Sequence, residues 1–260
     1  MAKTQKILLS GVAGTGKTSL LKNLKNAFVI SRDGKDFTLP IPHVVYREFS
    51  GVLDMIEGYE YEQDIINPKT NEVTVELVQV EGMITKLDKY REKFGHFPDT
   101  IALDSVSKLA NDIIEKGNTD FENFETHAYI KKDLGLLNKF ITEYLAPRCS
   151  TLVLINHLVN KDGKFIQTGS GNFKDKGGFY AEVDEAITLV NQTDKKRKVY
   201  TRGEKYQART LLDVPTEMPI PFIDPFNPDK CDEVTEEHFD LQSYITLMHE
   251  SVTESAEWEL

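Results

Sequence analysis

The segment Gly11-Val12-Ala13-Gly14-Thr15-Gly16-Lys17-Thr18 carries the spacing G-x-x-x-x-G-K-[ST] in full. These residue types suit one kind of chemistry, cradling the phosphates of a nucleoside triphosphate. Glycines let backbone N–H groups turn inward around an anion. A lysine at position 17 reaches the β and γ phosphates, and a hydroxyl at Thr18 ligates magnesium. With Ser19 next in line, residues 11–19 are expected to hold ATP and Mg2+. The flanks have the shape this loop needs. KILLS (6–10) reads as a buried strand, and the apolar spacing of TSLLKNLKN predicts a helix from Gly16 to about Asn26. The positive end of such a helix adds to phosphate binding.

A magnesium site of this kind also needs a carboxylate at the end of a neighbouring strand. TIALD (100–104) is a short apolar run ending in Asp104, which is expected to hold the ion through water beside Thr18. The competing reading is that Asp104 caps the helix starting at Ser105, a position both residue types favour. Asp33 is the alternative acid.

The elements that position these residues alternate between strand and helix. AFVIS (27–31), PHVVYREF (42–49), TIALD (100–104) and STLVLIN (150–156) read as strands. Helical periods run through 80–94, 105–116 and 130–145, and residues 59–79 alternate around NPKTNE as a hairpin would. Further on, 181–190, 197–201 and 206–213 read as strands. The pattern predicts an α/β fold, a mainly parallel central sheet with helices on both faces. Three regions are expected: a core over 1–213, a proline-rich linker over 214–230, and a C-terminal tail over 231–260.

The charge is uneven. The chain holds 42 acids and 31 bases, a net of −11, yet nine of the acids and none of the bases fall in 231–260. Residues 1–230 therefore carry 33 acids against 31 bases and are nearly neutral. Local placement, rather than total charge, decides whether such a body can meet nucleic acid. The tail is expected to be mobile apart from a short helix near 239–250. No apolar run approaches a membrane span and no secretory leader is apparent, so the expected compartment is the cytoplasm. Cys149 and Cys231 lack metal-ligand spacing and read as two free thiols.

The run IALDSVSKLA, with Asp-Ser after the strand, resembles the second nucleotide motif of RecA-type recombinases. LVLINH (152–157) is similar to that family's strand ending in Asn and a polar sensor, and GGFYAEVDEAITL (177–189) to the end of its second DNA-binding loop. The chain as a whole resembles phage-encoded nucleotide-binding proteins used in single-strand annealing and recombination, over roughly residues 3–212. The resemblance implies a RecA-like P-loop NTPase core that hydrolyses ATP, acts on single-stranded DNA and assembles with copies of itself as a ring or filament. It also implies a single-strand-binding or annealing protein as a partner, in the cytoplasm of a phage host.

Residue by residue, the resemblance places Asp33 where the family has a water-polarising Glu; the arm is shorter by a bond length of roughly 1.5 Å, and Glu48 is the alternative base. His157 stands where the family has a γ-phosphate-sensing Gln, and a His donates a similar hydrogen bond. The loop 157–178 corresponds to the DNA loop. In it Lys161, Lys164, Lys174 and Lys176 surround Phe165 and Phe173, cations for phosphates and aromatics for bases. Arg202, Lys205 and Arg209 are the candidates for the cation that a neighbouring subunit inserts into the ATP site.

Two other function classes are weighed against this reading. A nucleotide-dependent loader or scaffold would bind ATP with little turnover, and Asp33 in place of Glu keeps it open. A small-molecule kinase would carry an Arg-rich lid, whereas the long loop here is Lys- and Gly-rich. NKDG (160–163) only superficially matches a guanine-reading motif, because its Asp stands one position early.

Overall fold

The structure, a computed structural model, describes residues 3–32, 40–46, 50–66, 68, 73–161, 164–167, 178–191, 196–221 and 232–257. The strands are β1 (Gln5–Gly11), β2 (Ala27–Ser31), β3 (His43–Val45), β4 (Gly58–Ile66), β5 (Val73–Glu81), β6 (Thr100–Asp104), β7 (Thr151–Lys161), β8 (Lys164–Gln167), β9 (Glu185–Asn191), β10 (Arg197–Tyr200) and β11 (Glu217–Ile220). The helices are α1 (Lys17–Leu20), α2 (Val52–Glu57), α3 (Met83–Phe94), α4 (Val106–Asp120), α5 (Asn123–Lys139) and α6 (Leu241–Glu257).

The central sheet runs β11-β10-β9-β1-β7-β6-β2-β3, with β8 paired to β7 off that path. Strands β9, β1, β7, β6, β2 and β3 are mutually parallel, and β10 and β11 extend the sheet antiparallel. Buried on both faces, the inner strands are continuous apolar runs rather than alternating ones. Successive residues still feed opposite layers. Leu8, Ile101, Leu103, Leu152 and Leu154 join the core under α2, α3, α4 and α5. Ile7, Leu9, Ala102, Val153 and Ile155 join the core under α6 and the turn after α1. The expected mainly parallel α/β sheet with helices on both faces is therefore present. No helix among the described residues is long and apolar enough to cross a membrane.

Four sequence expectations need correction. The helix expected over Gly16–Asn26 is one α turn, Lys17–Leu20, followed by a 3-10 turn at Leu21–Asn23. Leu21 and Leu24 bury against the α6 layer, and Asn26 takes a left-handed φ of 46°, which ends any helix. An added helix dipole therefore contributes little here. Residues 206–213 do not form a strand; Gln207 adopts φ 51° and only single bridges, Ala186 with Arg209 and Gly203 with Ala208, tie the segment down. Within the expected linker, Glu217–Ile220 is the edge strand β11, where Pro219 lacks only a donor that an edge can spare.

The fourth correction concerns the tail. α6 spans Leu241–Glu257, and Leu241, Tyr244, Ile245 and Met248 are buried in the sheet's second core with Phe239. The Tyr244 hydroxyl donates to the buried Glu185 carboxylate at 2.8 Å, and the Leu211 N–H reaches the same carboxylate at 3.2 Å. Burial pushes the Tyr244 phenol well above its usual range. His249 Nε2 lies 2.7 Å from Thr151 Oγ1. This part of the acidic segment belongs to the folded body, because one face of the helix buries four large side chains against the sheet.

The β4–β5 pair forms the expected hairpin as a separate two-stranded sheet. Both its strands are largely solvent-exposed, with Val73, Val75 and Leu77 each more than half exposed.

Candidate functional site

Strand β1 ends at Gly11, and the chain turns there at the C-terminal edge of the parallel sheet. A side-chain carbon at Gly11 would lie 2.8 Å from both Leu189 O and Thr15 Oγ1, so the close approach of β9 and the loop requires glycine. Thr15 is fully buried and its hydroxyl donates to Val12 O at 3.0 Å, closing the turn on itself. Gly16 has φ 88°, the left-handed region where glycine carries no penalty. Lys17 is buried, and its ammonium donates to Gly11 O at 2.8 Å and Val12 O at 3.0 Å. The cation thus lies in the concavity of its own loop. Ala13, Gly14 and Ser19 are exposed on the outside of the turn.

Asp104 terminates β6, two strands away from β1, and is 2% exposed. The Thr18 hydroxyl donates to its Oδ2 at 2.5 Å. Capping of α4 falls instead to Ser105, whose Oγ accepts from the Lys108 N–H at 3.2 Å. The Asp104–Ser105 peptide is cis. Asp104 O accepts from the Arg32 N–H at 2.6 Å, which ties the end of β2 to the end of β6.

Strand β7 runs between β1 and β6 and brings two more polar residues alongside. Asn156 is level with Ser10, and His157 with Gly11. The Asn156 amide donates to Ser10 Oγ at 3.4 Å, while its Oδ1 is buried without a hydrogen-bond partner among the described residues. A buried acceptor left unmatched is costly unless something else satisfies it. The His157 N–H donates to Ser107 Oγ at 2.9 Å and its ring is half-buried. Residues 10–18, Asp104, Asn156 and His157 therefore converge on one edge of the sheet.

A second charged group adjoins this edge and was not read from the sequence. Asp112, buried on α4, accepts from Arg32 Nε at 2.7 Å and Lys108 Nζ at 2.6 Å. Arg32 also donates to Tyr46 O at 2.8 Å. Lys108 and Asp112 pair at i, i+4 on one helix, and the capture of Arg32 depends on the strand order. Asp33 and Glu48 themselves lie outside the described residues.

The loop residues divide. Phe173, Lys174 and Lys176 lie outside the described residues, as do the side chains of Lys161 and Lys164. The backbones of these two lysines close the β7–β8 hairpin. Phe165 is not available to stack on a base: it is 7% exposed, with its ring 5.7 Å from that of Tyr206, which stacks on Tyr200 at 3.8 Å.

The three cations expected to act on a neighbour are mostly committed to their own chain. Arg202 donates to Val214 O at 2.8 Å and to Leu212 O. Arg209 donates to Tyr180 O at 2.9 Å and to Val183 O, and its guanidinium lies 4.6 Å over the Tyr180 ring. These contacts tie both guanidinium groups to backbone carbonyls of their own chain. Lys205 alone of the three is exposed, resting over Tyr206.

The cation that does approach the 11–18 loop is Arg197, at the start of β10. A side-chain carbon at Gly16 would collide with its Nη1 and lie 3.6 Å from its Cζ. Nothing in the local sequence KKRKVYT distinguishes Arg197 from its basic neighbours; only the pairing of β10 against β9 selects it. Comparison with protein-family models and with curated proteins gives no match to this chain.

Proposed function

We propose that the chain is a RecA-like P-loop nucleoside triphosphatase that binds ATP and magnesium at residues 11–19, hydrolyses the nucleotide, and works on single-stranded DNA in the cytoplasm of a phage host. The observation that carries the reading is the meeting of Thr18 and Asp104 at 2.5 Å beside the Lys17 ammonium. A lysine and a hydroxyl from one turn of helix, with a buried carboxylate from a separate strand, are what a triphosphate with its metal requires. A hydroxyl and a carboxylate are hard oxygen donors, and few protein ligands are expected where phosphates and waters complete the shell. Thr18 and Asp104 would hold the magnesium, which neutralises charge between the β and γ phosphates when bound.

The chain's own residues divide the remaining work. The Lys17 ammonium exchanges its two loop carbonyls for phosphate oxygens. His157, level with Gly11 at the end of the strand between β1 and β6, senses the γ-phosphate, and Asn156 offers its unmatched acceptor to a water at the same edge. Asp33, one residue beyond the anchored Arg32, polarises the attacking water, with Glu48 as the alternative. Lys161, Lys164, Lys174 and Lys176 meet DNA phosphates beyond the sensor strand, and an exposed Lys205 is what remains for contact with a neighbouring subunit in a ring or filament. A single-strand-binding or annealing protein is the expected partner.

ATP turnover with and without single-stranded DNA tests this. Turnover raised by DNA and abolished by Lys17→Ala supports the reading. Nucleotide binding without turnover leaves the loader or scaffold, and phosphate transfer to a small acceptor replaces the reading with a kinase.

A further inference from the structure

We propose that Arg197 is a nucleotide-contacting residue, supplying a second cation to the phosphate chain from the same polypeptide. The inference rests on the reading of residues 11–18 as the nucleotide loop. Arg197 pairs with Asn191 of β9 on one side and Ile220 of β11 on the other, so its backbone is held within the sheet. Its Nη2 donates to Pro221 O at 3.1 Å, which fixes the guanidinium plane. Nη1 occupies the space a side chain at Gly16 would take, next to the residue directly before Lys17.

Three observations point to a ligand rather than a structural clamp. Arg202 donates from two nitrogens to two backbone carbonyls, and Arg209 donates from Nη2 to two carbonyls while its guanidinium lies over the Tyr180 ring, whereas Arg197 donates to one carbonyl only. No carboxylate among the described residues forms an ion pair with it, so its charge stays uncompensated beside the loop. Among the described residues Nη1 and Nε have no hydrogen-bond acceptor, although a side-chain carbon at Gly16 would collide with Nη1. A planar guanidinium with two donors to spare matches phosphate oxygens in a way a lysine cannot. The contact also gives Gly16 a second reason to be glycine: besides its φ of 88°, any side chain there would displace this cation.

The arrangement places the extra cation in cis, at Arg197, where sequence reasoning sought it in trans at Arg202, Lys205 or Arg209. It therefore acts in the isolated chain, independent of assembly.

The test measures binding of ATP, ADP and adenosine to the full chain and to Arg197→Ala, Arg197→Gln and Arg197→Lys. Gln keeps a donor for Pro221 O while removing the charge, which covers the case where Ala does not fold. The expected result is ATP and ADP binding weakened about 10- to 100-fold in the Ala and Gln variants. Lys should restore part of the loss, and adenosine binding should be unchanged. Wild-type affinity in Arg197→Gln, with Lys17→Ala defective, overturns the role of Arg197 and leaves the loop reading standing. An equal loss for adenosine also overturns it, because the contact would then be to base or fold. If the full chain binds no nucleotide, the loop reading fails and this inference fails with it.

Discussion

Thr18 Oγ1 donates a hydrogen bond to Asp104 Oδ2 at 2.5 Å across 86 residues of sequence. The contact exists because β7 alone separates β1 from β6, so the ends of all three strands share one edge. Asp104→Asn keeps the shape and removes the charge. The expected outcome is nucleotide binding that no longer responds to magnesium, with magnesium-free affinity within about twofold of wild type. The loss of the magnesium-dependent part should be at least tenfold, since a charge-assisted contact contributes roughly 1.5–3 kcal/mol. Titrating a fluorescent nucleotide with and without Mg2+ checks this; an undiminished magnesium response in the variant removes Asp104 from the metal site.

Lys17 is buried with its ammonium on the carbonyls of Gly11 and Val12. Lys17→Ala frees those carbonyls to water at the mouth of the loop, so melting should shift by no more than a few degrees. ATP affinity should fall about 10- to 100-fold. Calorimetric binding alongside thermal melting separates the two effects, and a variant that unfolds would show that the lysine is needed to close the loop itself.

The meeting of the 11–18 loop with Asp104 was legible in sequence because each is a local pattern: a fixed spacing after a short apolar run. Arg197 and the Arg32–Asp112 pair were not, since strand pairing brings them to the site and no spacing encodes it. The docking of α6 was partly legible. Leu241, Tyr244, Ile245 and Met248 stand at i, i+3, i+4 and i+7, a helix-face signal that the count of acidic residues obscured. Phe165 was misread for the same reason in reverse: an aromatic among lysines suggests base stacking, but β7–β8 pairing turns it inward onto Tyr206.

Arg202 and Arg209 tie their own chain together, so replacing them should cost stability rather than subunit cooperation. Arg202→Ala and Arg209→Ala are each expected to destabilise the fold by about 1–3 kcal/mol, the cost of orphaning two carbonyls bonded to a charged group. Denaturant titration measures this. Mixing either variant with Lys17→Ala should restore no turnover; restoration would return one of these arginines to the neighbour's site.

Burial pushes the Cys149 thiol up to about 12. The folded state therefore holds its proton over a range where the unfolded chain releases it. This contribution to stability is complete below the usual thiol range and is lost as pH rises from there towards about 12. Iodoacetamide labelling of Cys149 at pH 8 should be slow in the native protein and should accelerate with denaturant in step with unfolding. Rapid labelling under native conditions would show that the segment around Leu145 opens locally.

The helix α6 makes the sharpest prediction about the acidic C-terminal segment. Its apolar residues close the face of the sheet formed by Ile7, Leu9, Val153, Ile155 and Ile187, and Tyr244 satisfies the buried Glu185 carboxylate. The mobile acidic tail expected from the charge count would have to expose all of these at once. Ile245→Ala is expected to cost about 2–5 kcal/mol, as for other large-to-small changes in a closed core. Tyr244→Phe should cost about 1–3 kcal/mol, because Glu185 loses a donor while remaining buried. Truncation before Phe239 should yield an aggregation-prone core, since it opens one whole face of the central sheet. Denaturant melts of the two point variants and the oligomeric state of the truncated chain check these outcomes. A truncated chain that stays monomeric, with an unchanged melting temperature and tighter DNA binding at low salt, would instead establish α6 as a displaceable tail.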